Sequence, residues 1–458
     1  MRALGAYDEE TIVAPATPAG RSGLAVVRLS GPNAWRIVRE CVRRKRLEDR
    51  RATVGTYFSV SGEAIDQIVF TCYRGPRSYT GEDLVEISCH GNPLIVEKIV
   101  RDCVERGARL AERGEFTLRA FLHGKLDLVQ AEAVRELIEG HTWEQVKAAQ
   151  GSLGGHLRAE LDLVRERVVE VVVQLETRLE FVEDDISPEE DSRLKGKLEL
   201  VAAQLREWLS RYERSRVIRQ GFKVVLVGLP NVGKSSLFNR LLDEDRAIVT
   251  AWPGTTRDTL REWRDVLGVP VCLVDTAGLR GVVDEVERIG VERAQREMEG
   301  ADAVLLVVDA TCSPTEEVRK LWVAAADKRR LLVINKIDLC RGEQWVEEFR
   351  SEGEEPCFVS AREGTGVPGV WRWLEGVIQE EAVGDKRELL LVNERQRDCV
   401  DRAYRSVVEA GEGLKRGKGE ELVVEELRKA LRALGELVGE TTPDDILQGI
   451  FATFCIGK

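Results

Sequence analysis

The sequence predicts a multidomain protein: an α+β N-terminal domain, then a discontinuous α-helical domain interrupted by an inserted α/β phosphate-loop domain with a mostly parallel sheet. Three observations support this fold class. Short β-like runs occupy roughly the first 120 residues, and helical periodicity appears in two separate later segments. Between those segments, continuous Val, Leu and Ile runs alternate with helices, which is typical of a parallel sheet buried on both faces.

The N-terminal domain is predicted from β-like runs at residues 23–29, 65–73 and 84–88, which are separated by turn signals. We expect it to span residues 1–122. The chain has 458 residues, which is too long for one core and favours about three domains.

The helical domain is predicted in two parts, residues 123–219 and 381–458. Apolar residues recur at helical spacing from about residue 126 to 182, and Ser187-Pro188 is an N-terminal signal for a further helix. The same signal at residues 442–445 predicts a final helix over residues 446–454. Because domains tolerate insertions where their chain ends lie close together, a single helical domain interrupted by residues 220–380 is the economical topology.

Composition places the chain among soluble globular proteins of the cytoplasm. Apolar residues make up 43% of it, yet it contains no apolar run long enough to span a membrane and no apolar N-terminal signal segment. Ten cysteines occur without a C-x-x-C pair, and only four histidines are present. This scatter predicts reduced thiols and argues against a structural zinc site.

The net charge of −12 argues against a surface that is basic all over and coats nucleic acid. One local exception is the stretch of residues 36–51, which holds eight Arg or Lys residues and three acidic ones. Two interpretations stay open for it: a solvated helix face with its loop, or a patch that contacts phosphates.

Residues 228–235 carry the pattern G-x-x-x-x-G-K-S directly after a predicted strand and before a predicted helix. In this context the glycines let backbone N–H groups surround phosphate oxygens. We expect Lys234 to reach the β- and γ-phosphates and the Ser235 hydroxyl to bind Mg²⁺. Asp275, at the end of the next buried run, is expected to act on Mg²⁺ through a water, and Gly278 to offer an N–H to the γ-phosphate.

The run Asn335-Lys336-Ile337-Asp338 ends another predicted strand and indicates guanine. The Asp338 carboxylate can accept from the N1–H and the 2-amino group of guanine, whereas adenine would leave it unpaired. The sequence therefore predicts GTP rather than ATP. Its expected contacts are Asn231, Val232, Gly233, Lys234, Ser235, Ser236, Thr250, Ala251, Trp252, Pro253, Gly254, Thr255, Thr256, Asp275, Thr276, Ala277, Gly278, Asn335, Lys336, Asp338, Ser360, Ala361 and Arg362.

Hydrolysis needs a group that the phosphate loop does not supply. Small GTPases of the Ras kind place a Gln after D-T-A-G to orient water, but this chain has Leu279 there. The carbonyl oxygen of Asn231 and the oxygen-rich residues 250–258 suit a monovalent cation. From the residues alone, a cation site and a plain loop stay equally open.

Several motifs of the chain resemble those of a known family. G-x-P-N-x-G-K-S, G-T-T-R-D, D-T-A-G-L-R, N-K-I-D and S-A-R resemble the TrmE-Era-EngA-type GTPases. The opening run T-I-V-A-P-A-T-P-A-G-R-S-G, the run G-E-F-T-L-R-A-F-L-H-G-K-L-D-L and the terminal F-C-I-G-K resemble the MnmE (TrmE) tRNA modification GTPase family over essentially the whole chain.

That resemblance implies a K⁺-activated GTPase that uses a 5-formyl- or methylene-tetrahydrofolate. With a flavin-dependent MnmG (GidA)-type partner in a heterotetramer, it would form 5-carboxymethylaminomethyl or 5-aminomethyl uridine at wobble position 34 of certain tRNAs. It also implies a homodimer through the N-terminal domains, with K⁺-dependent pairing of the GTPase domains.

The resemblance also implies residue roles. K⁺ would be bound by Asn231, Thr250, Trp252 and Thr255, and Mg²⁺ by Ser235 and Thr256. Glu287 would be the general base acting through a bridging water, and Cys455 would act in the modification step. Folate would be contacted by Arg28, Glu86, Lys125 and Lys458.

Structural alternatives stay open for these residues. Cys455 could be a small buried hydrophobic residue, Arg28 a structural ion pair and Glu287 an exposed helix glutamate. Lys125 could cap or pair on its helix, and Glu86 would need a polar partner with or without folate. Two functional alternatives also remain: a GTP-dependent switch in ribosome maturation, and a folate-binding module with a vestigial GTPase domain.

Overall fold

The computed structural model describes residues 10–180, 188–214, 216–243, 260–276, 297–340, 355–381 and 393–458. The chain divides into two compact units. The first contains Met1–Ile138, Ala149–Leu209 and Asn393–Lys458, and the second contains Glu139–Ala148 and Ser210–Val392. The second unit is thus inserted into the first, as the predicted fold class requires.

A mixed six-stranded sheet forms the N-terminal part of the first unit. Its strand order is β3-β4-β5-β2-β1-β6, antiparallel except where β1 pairs with β6. Helices α1 and α2 cover one face and enclose a core that includes Val27, Ile37 and Ile87. The elements are β1 Ile12–Pro15, β2 Ser22–Ser30, α1 Ala34–Cys41, β3 Thr53–Phe58, β4 Ala64–Tyr73, β5 Leu84–Gly91, α2 Pro93–Glu105, β6 Arg109–Leu110 and α3 Glu115–Leu122.

The helices of the first unit come from both sides of the insertion, which confirms a discontinuous helical domain. Ion pairs join the two parts, since Arg428 pairs with Glu176 over 2.8 Å and Lys415 with Glu199 over 2.8 Å. The helices of this unit are α4 Leu128–Glu139, the second half of α5 Trp143–Leu153, α6 His156–Glu180, most of α7 Pro188–Arg214, and, after the insertion, α12 Glu394–Lys415, α13 Glu420–Val438 and α14 Asp444–Ala452. Helix α8 Arg216–Gln220 belongs to the second unit.

The second unit is built on a six-stranded sheet in the order β12-β11-β10-β7-β9-β8. All neighbours are parallel except the edge strand β8, which runs antiparallel to β9. The elements are β7 Phe222–Val227, α9 Lys234–Asp243, β8 Leu260–Val266, β9 Val269–Asp275, β10 Ala303–Asp309, α10 Glu316–Ala324, β11 Arg329–Asn335, β12 Cys357–Val359 and α11 Val367–Glu381. Strands β7, β9 and β10 are almost wholly buried, as their apolar runs predict.

Residues 139–148, which lie inside the first predicted helical part, cluster with the second unit. The His141 ring stacks on Trp263 of β8 with centroids 4.3 Å apart, and the Gln145 side-chain amide donates to the Arg219 carbonyl over 3.1 Å. Burial lowers the pKa of His141, which favours the neutral ring in this stack. The predicted domain borders themselves stay predictions.

The prediction for the final helix is wrong at both ends. The helix spans Asp444–Ala452, and Pro443 rather than Thr442 is its N-cap residue. The Thr442 hydroxyl instead donates to the Glu436 carbonyl over 3.1 Å. At the other end, the chain leaves the helix so that Phe454 enters an apolar cluster with Leu118 and Leu128. Ser187, predicted as a cap, lies outside the described residues.

The sequence analysis missed four strands, β1, β3, β6 and β8. Strand β6 has only two residues. Strand β8, with the sequence LREWRDV, has charged residues at four of its seven positions, so neither strand shows an apolar pattern. Within the described ranges, no helix is both long and apolar enough to cross a lipid bilayer.

Candidate functional site

The phosphate loop joins β7 to α9 at the carboxyl edge of the parallel sheet. Two glycines are required there by space as well as by backbone angle. A Cβ at Gly228 (φ 150°) would lie 2.2 Å from the Val307 carbonyl oxygen, and one at Gly233 (φ 95°) would lie 2.3 Å from the Asn335 amide nitrogen. Asn231 also has a positive φ, 63°, which asparagine tolerates better than most residues.

Lys234 is buried at the start of α9, with its ammonium turned back over the loop. The ammonium donates to the carbonyls of Gly228 over 2.9 Å and Leu229 over 2.7 Å. Val232 is also buried, whereas Ser235 and Ser236 are exposed on the first turn of the helix. The loop therefore presents a cation and a helix N-terminus together, an arrangement suited to phosphate groups.

Oxygen donors suited to Mg²⁺ lie on adjoining elements. Asp275 is fully buried at the end of β9, and its backbone is in register with Leu226 of β7. The Thr276 hydroxyl donates to the Leu226 carbonyl over 2.8 Å, which fastens the end of β9 to β7. A serine hydroxyl at the start of α9 and a carboxylate at the neighbouring strand end are the hard oxygen ligands that Mg²⁺ prefers, so these residues fit the ion.

The predicted guanine-binding residues converge on one end of the sheet. Asn335 is buried at the end of β11, where its amide donates to the Val232 carbonyl over 2.9 Å and its oxygen accepts from the Ala361 N–H over 3.0 Å. Ser360 is fully buried and donates from its hydroxyl to Asp338 Oδ1 over 2.7 Å. These bonds connect the predicted guanine-binding loops to each other and to the phosphate loop.

Two further side chains, Lys336 and Arg240, form hydrogen bonds that hold these loops in place. Lys336 (φ 68°) donates to Asp309 Oδ2 over 2.5 Å. Burial alone would raise the pKa of Asp309, but hydrogen bonds from Lys336 and Thr311 outweigh it and lower the pKa. Arg240 of α9 donates to the carbonyls of Ala361 over 3.2 Å and of Arg362 over 2.6 Å. Arg240 was not predicted, and no sequence pattern distinguishes it from other helix arginines.

Several predicted site residues lie outside the described residues. They are Thr250, Ala251, Trp252, Pro253, Gly254, Thr255 and Thr256, then Ala277 and Gly278, and the predicted general base Glu287.

The four predicted folate residues lie in one region of the first unit. Arg28 and Glu86 are register partners on β2 and β5, and the guanidinium donates to Glu86 Oε1 over 2.8 Å and 3.1 Å. The same guanidinium lies 5.4 Å from the centre of the Tyr79 ring. Tyr79 and Lys125 in turn line a cavity of about 460 Å³.

The chain's C-terminus is fastened beside these residues. The Phe116 N–H donates to the Lys458 carbonyl over 3.2 Å, and Arg28 Nη1 donates to the Gly457 carbonyl over 3.4 Å. Burial, together with the nearby Arg28 charge, lowers the pKa of Lys458. The Lys458 ammonium therefore lies near the Arg28 guanidinium, and an anionic ligand would complement both positive charges.

Cys455 is exposed, so its interpretation as a small buried hydrophobic residue is wrong. Its backbone carbonyl accepts from the Gly114 N–H over 3.3 Å, and Ile456 bridges to Arg113 in antiparallel fashion. The backbone of this segment is thus docked while its thiol faces outward. That placement followed from tertiary contacts, because residue type alone favours burial of a free cysteine.

The sequence analysis missed the residues that surround the cavity. Its remaining walls are Arg50, Tyr73, Arg77 and Ser78. It also missed a buried ion network in which Arg119, fully buried, contacts Glu82 and Glu115 over 2.9 Å each. Burial would raise the pKa of Glu115, but hydrogen bonds from Arg109, from the Glu112 N–H and from Arg119 outweigh it and lower the pKa. The sequence signal that could have revealed this network is the pair Glu115 and Arg119, four residues apart in the run G-E-F-T-L-R.

Comparison with known proteins gives a consistent result for the whole chain. The family model described as the MnmE helical domain matches residues 128–455, and the one described as the N-terminus of GTP-binding protein TrmE matches residues 11–125. A tRNA modification GTPase MnmE of Symbiobacterium thermophilum is 42% identical, with 98% of this chain and 100% of that protein covered. Proteins of the same name from Aquifex aeolicus and Thermotoga maritima are 42% and 38% identical, with the same coverage.

Two family models that together cover nearly the whole chain, and full-length relatives at about 40% identity, agree with the phosphate and guanine loops described above. The chain belongs to the MnmE (TrmE) family of tRNA modification GTPases.

Proposed function

We propose that this protein is a K⁺-activated GTP hydrolase that modifies the wobble uridine of certain tRNAs. Hydrolysis drives its conformational cycle, and an MnmG (GidA)-type flavoprotein supplies the redox part of the chemistry. Family membership supports GTP hydrolysis and tRNA modification. Activation by K⁺, the tetrahydrofolate one-carbon donor and the flavoprotein partner are the parts of the proposal that go beyond family membership.

The observation that carries the GTPase assignment is the double hydrogen bond of Asn335. One buried side chain contacts the phosphate loop at Val232 and the guanine loop at Ala361. The phosphate loop and the guanine loop are therefore held at a fixed separation, which suits the phosphates and the base of one nucleoside triphosphate. Asp338, oriented by Ser360, selects guanine through its two adjacent donors.

In the hydrolytic step, Lys234 moves from the loop carbonyls onto the phosphate oxygens, and the Ser235 hydroxyl and the Asp275 carboxylate would hold Mg²⁺, Asp275 through a water. Bound Mg²⁺ and K⁺ supply positive charge opposite the charge that develops on the transferring phosphoryl group. The side-chain carbonyl of Asn231, with Thr250, Trp252 and Thr255, would hold K⁺, and Thr256 would join Ser235 at Mg²⁺. Glu287 accepts a proton from the attacking water through a bridging water.

The modification chemistry belongs to the first unit. Arg28 and Glu86 present donors and an acceptor side by side, which suits a pterin-like ring, while Lys125 and Lys458 supply cations for the carboxylates of a 5-formyl- or methylene-tetrahydrofolate. The exposed thiol of Cys455 lies on the same docked C-terminal segment, and we assign it to the modification step.

The assembly we propose is a homodimer through residues 1–122, with K⁺-dependent pairing of the GTPase domains, residues 220–380. Residues 123–219 and 381–458 form the helical domain, and two MnmG-type subunits complete a heterotetramer. All ten cysteines are free thiols, which supports a reducing cytoplasmic location.

Mass spectrometry of wobble uridines tests this function directly. A strain that lacks the gene should lose the modified uridine and regain it when the parent chain is supplied. Unchanged wobble uridines in the deletion strain, together with altered ribosome maturation, would favour the assembly-switch alternative instead.

A further inference from the structure

A basic segment lies at the end of α1, formed by Arg39, Arg43, Arg44, Lys45 and Arg46, all of them exposed. Within the part of the chain that the structure describes, none of the five pairs with a carboxylate. Arg44 donates to the neutral Val54 carbonyl over 2.7 Å, and Arg43 lies 4.0 Å from the centre of the Phe58 ring. Neutral partners leave the positive charge of the segment uncompensated.

The carboxylates nearest in sequence are occupied by other arginines. Glu40 pairs with Arg36 over 3.0 Å and with Arg106 over 3.4 Å. Glu48 pairs with Arg51 over 2.6 Å, and Asp49 pairs with Arg77 over 3.5 Å. Residues 36–51 therefore carry a local excess of cations on a chain whose net charge is −12.

The backbone of this region adopts conformations that favour glycine, yet arginine stands there. Arg43 has φ 51° and Arg50 has φ 56°. At the end of α1, the Arg44 N–H bonds back to the Arg39 carbonyl over 3.3 Å, the closing bond of a motif whose left-handed position is usually glycine. The Arg43 side chain itself donates to the Gly62 carbonyl over 3.4 Å, so the chain keeps a cation at this left-handed position with only neutral partners among the described residues.

The chain continues from the basic segment to Arg50, which lines the cavity described above. Arg50 donates to the Arg77 carbonyl over 2.5 Å, and Lys125 donates to the Pro76 carbonyl over 3.0 Å. Arg50, Arg77 and Lys125 all line that cavity, together with the rings of Tyr73 and Tyr79. Cations thus recur along the chain, from the exposed segment to Arg50 at the region assigned to the one-carbon donor.

We propose that the basic segment binds the phosphate backbone of the tRNA substrate and so directs a nucleotide toward this cavity. The inference rests on the proposed function, because it takes tRNA to be the substrate. A polyanion is repelled by a chain of net charge −12 except where cations are in local excess. Several cations in sequence suit the regular phosphate spacing of RNA, and counterion release makes such binding salt-dependent.

The test is a double variant of the full chain, Lys45→Ala/Arg46→Ala, with Lys320→Ala/Lys418→Ala as the matched control. All four side chains are exposed, and in the described ranges none forms an ion pair. Binding of an unmodified tRNA transcript is followed by fluorescence anisotropy at several salt concentrations. We expect the first double variant to bind about tenfold more weakly at low salt, with a log K against log salt slope less steep by about one to two.

The control variant should keep the parent's slope, and both variants should keep GTP hydrolysis, 5-formyl-tetrahydrofolate affinity and melting temperature. Parental tRNA affinity and slope in Lys45→Ala/Arg46→Ala would overturn the proposal, as would a loss confined to folate binding or to capture of the flavoprotein. Failure of the proposed function is distinguishable, because in that case the parent chain itself would not bind tRNA above the level of an unrelated RNA.

Discussion

The side-chain amide of Asn335 donates to the carbonyl of Val232 over 2.9 Å and joins the proposed guanine-binding end of the site to the phosphate loop. Both residues are buried, so this bond cannot be replaced by solvent without rearrangement. The two halves of the nucleotide site should therefore fail together when this contact is removed.

Replacing Asn335 by alanine should leave the Val232 carbonyl and the Ala361 N–H without their partners. We expect a loss of about 1–3 kcal/mol in the free energy of unfolding for each group left unpaired, and GTP affinity should fall by more than about tenfold. Urea unfolding and nucleotide titration measure the two effects. Asn239→Ala, an exposed position on α9, is the matched control and should behave like the parent. Parental affinity in Asn335→Ala would remove this contact from the nucleotide site.

Changing Asp338 to asparagine should shift preference from guanosine to xanthosine triphosphate. The asparagine amide donates to the 2-oxo group of xanthine, whereas the carboxylate accepts from the 2-amino group of guanine. The new side chain would retain an oxygen for the Ser360 hydroxyl, which lies 2.7 Å from Asp338 Oδ1, so the loop should stay in place. Competition between the two nucleotides measures the shift. Equal GTP affinity in variant and parent would place the guanine elsewhere.

Replacing K⁺ by Na⁺ at equal ionic strength should depress GTP hydrolysis by more than about tenfold and leave nucleotide binding nearly intact. Na⁺ is smaller than K⁺, so in the proposed site it would not contact all the oxygens of Asn231 and of residues 250–256 at once. Phosphate release and equilibrium nucleotide binding, measured side by side, separate catalysis from affinity. Hydrolysis that is indifferent to the cation would refute the K⁺ assignment.

Serine in place of Cys455 should abolish the wobble modification while GTP hydrolysis stays K⁺-dependent. The thiol is exposed, so the exchange should cost little stability, and the far weaker nucleophilicity of serine is its main effect. Nucleoside mass spectrometry and a melting curve of the same variant give both readouts. Cys312→Ser, another exposed thiol, is the control. Normal wobble uridines in a strain carrying only Cys455→Ser would assign Cys455 no chemical role.

Alanine at Gly457 should detach the C-terminal segment from the N-terminal domain. Gly457 has φ 93°, and a Cβ there would lie 2.0 Å from the Pro15 carbonyl oxygen. Lys458 and Cys455 would then move away from Arg28 and Glu86, so we expect 5-formyl-tetrahydrofolate affinity and the modification to fall while GTP hydrolysis persists. Calorimetric folate titration measures the loss. Gly449→Ala, where a Cβ meets nothing within 4 Å, should have no such effect.

The loop that is expected to receive the phosphates could be located from the sequence because its pattern is local. Gly228, Gly233 and Lys234 belong to one turn between a strand and a helix, and their spacing in this context predicts a loop that surrounds phosphate. The role of Asp338 could be predicted in the same way, since this residue lies shortly after the end of the buried strand β11. Three of the missed strands, β3, β6 and β8, lie at sheet edges, where half-exposed residues show no clear apolar pattern, whereas β1 is an interior strand of only four residues.

Arg28 illustrates the opposite case. Its partner Glu86 is 58 residues away in sequence, and the Gly457 carbonyl that it also contacts is 429 residues away. No periodicity connects positions so far apart, so the contact between the start and the end of the chain was available only through resemblance. The exposure of the Cys455 thiol is likewise a result of how Phe454 and Gly457 are anchored on either side of it.

The amino-acid sequence by itself therefore determined the order of the domains, the nucleotide and the turn that receives its phosphates, because short-range spacing and burial patterns encode these. Only the tertiary structure decided that Asn335 links the two nucleotide loops, that the C-terminal segment docks beside Arg28, and that, among the described residues, the cations after α1 lack carboxylate partners. These features depend on which groups, far apart in sequence, come into contact. Hydrogen bonds, ion pairs and steric exclusion between such groups act only once the chain is folded.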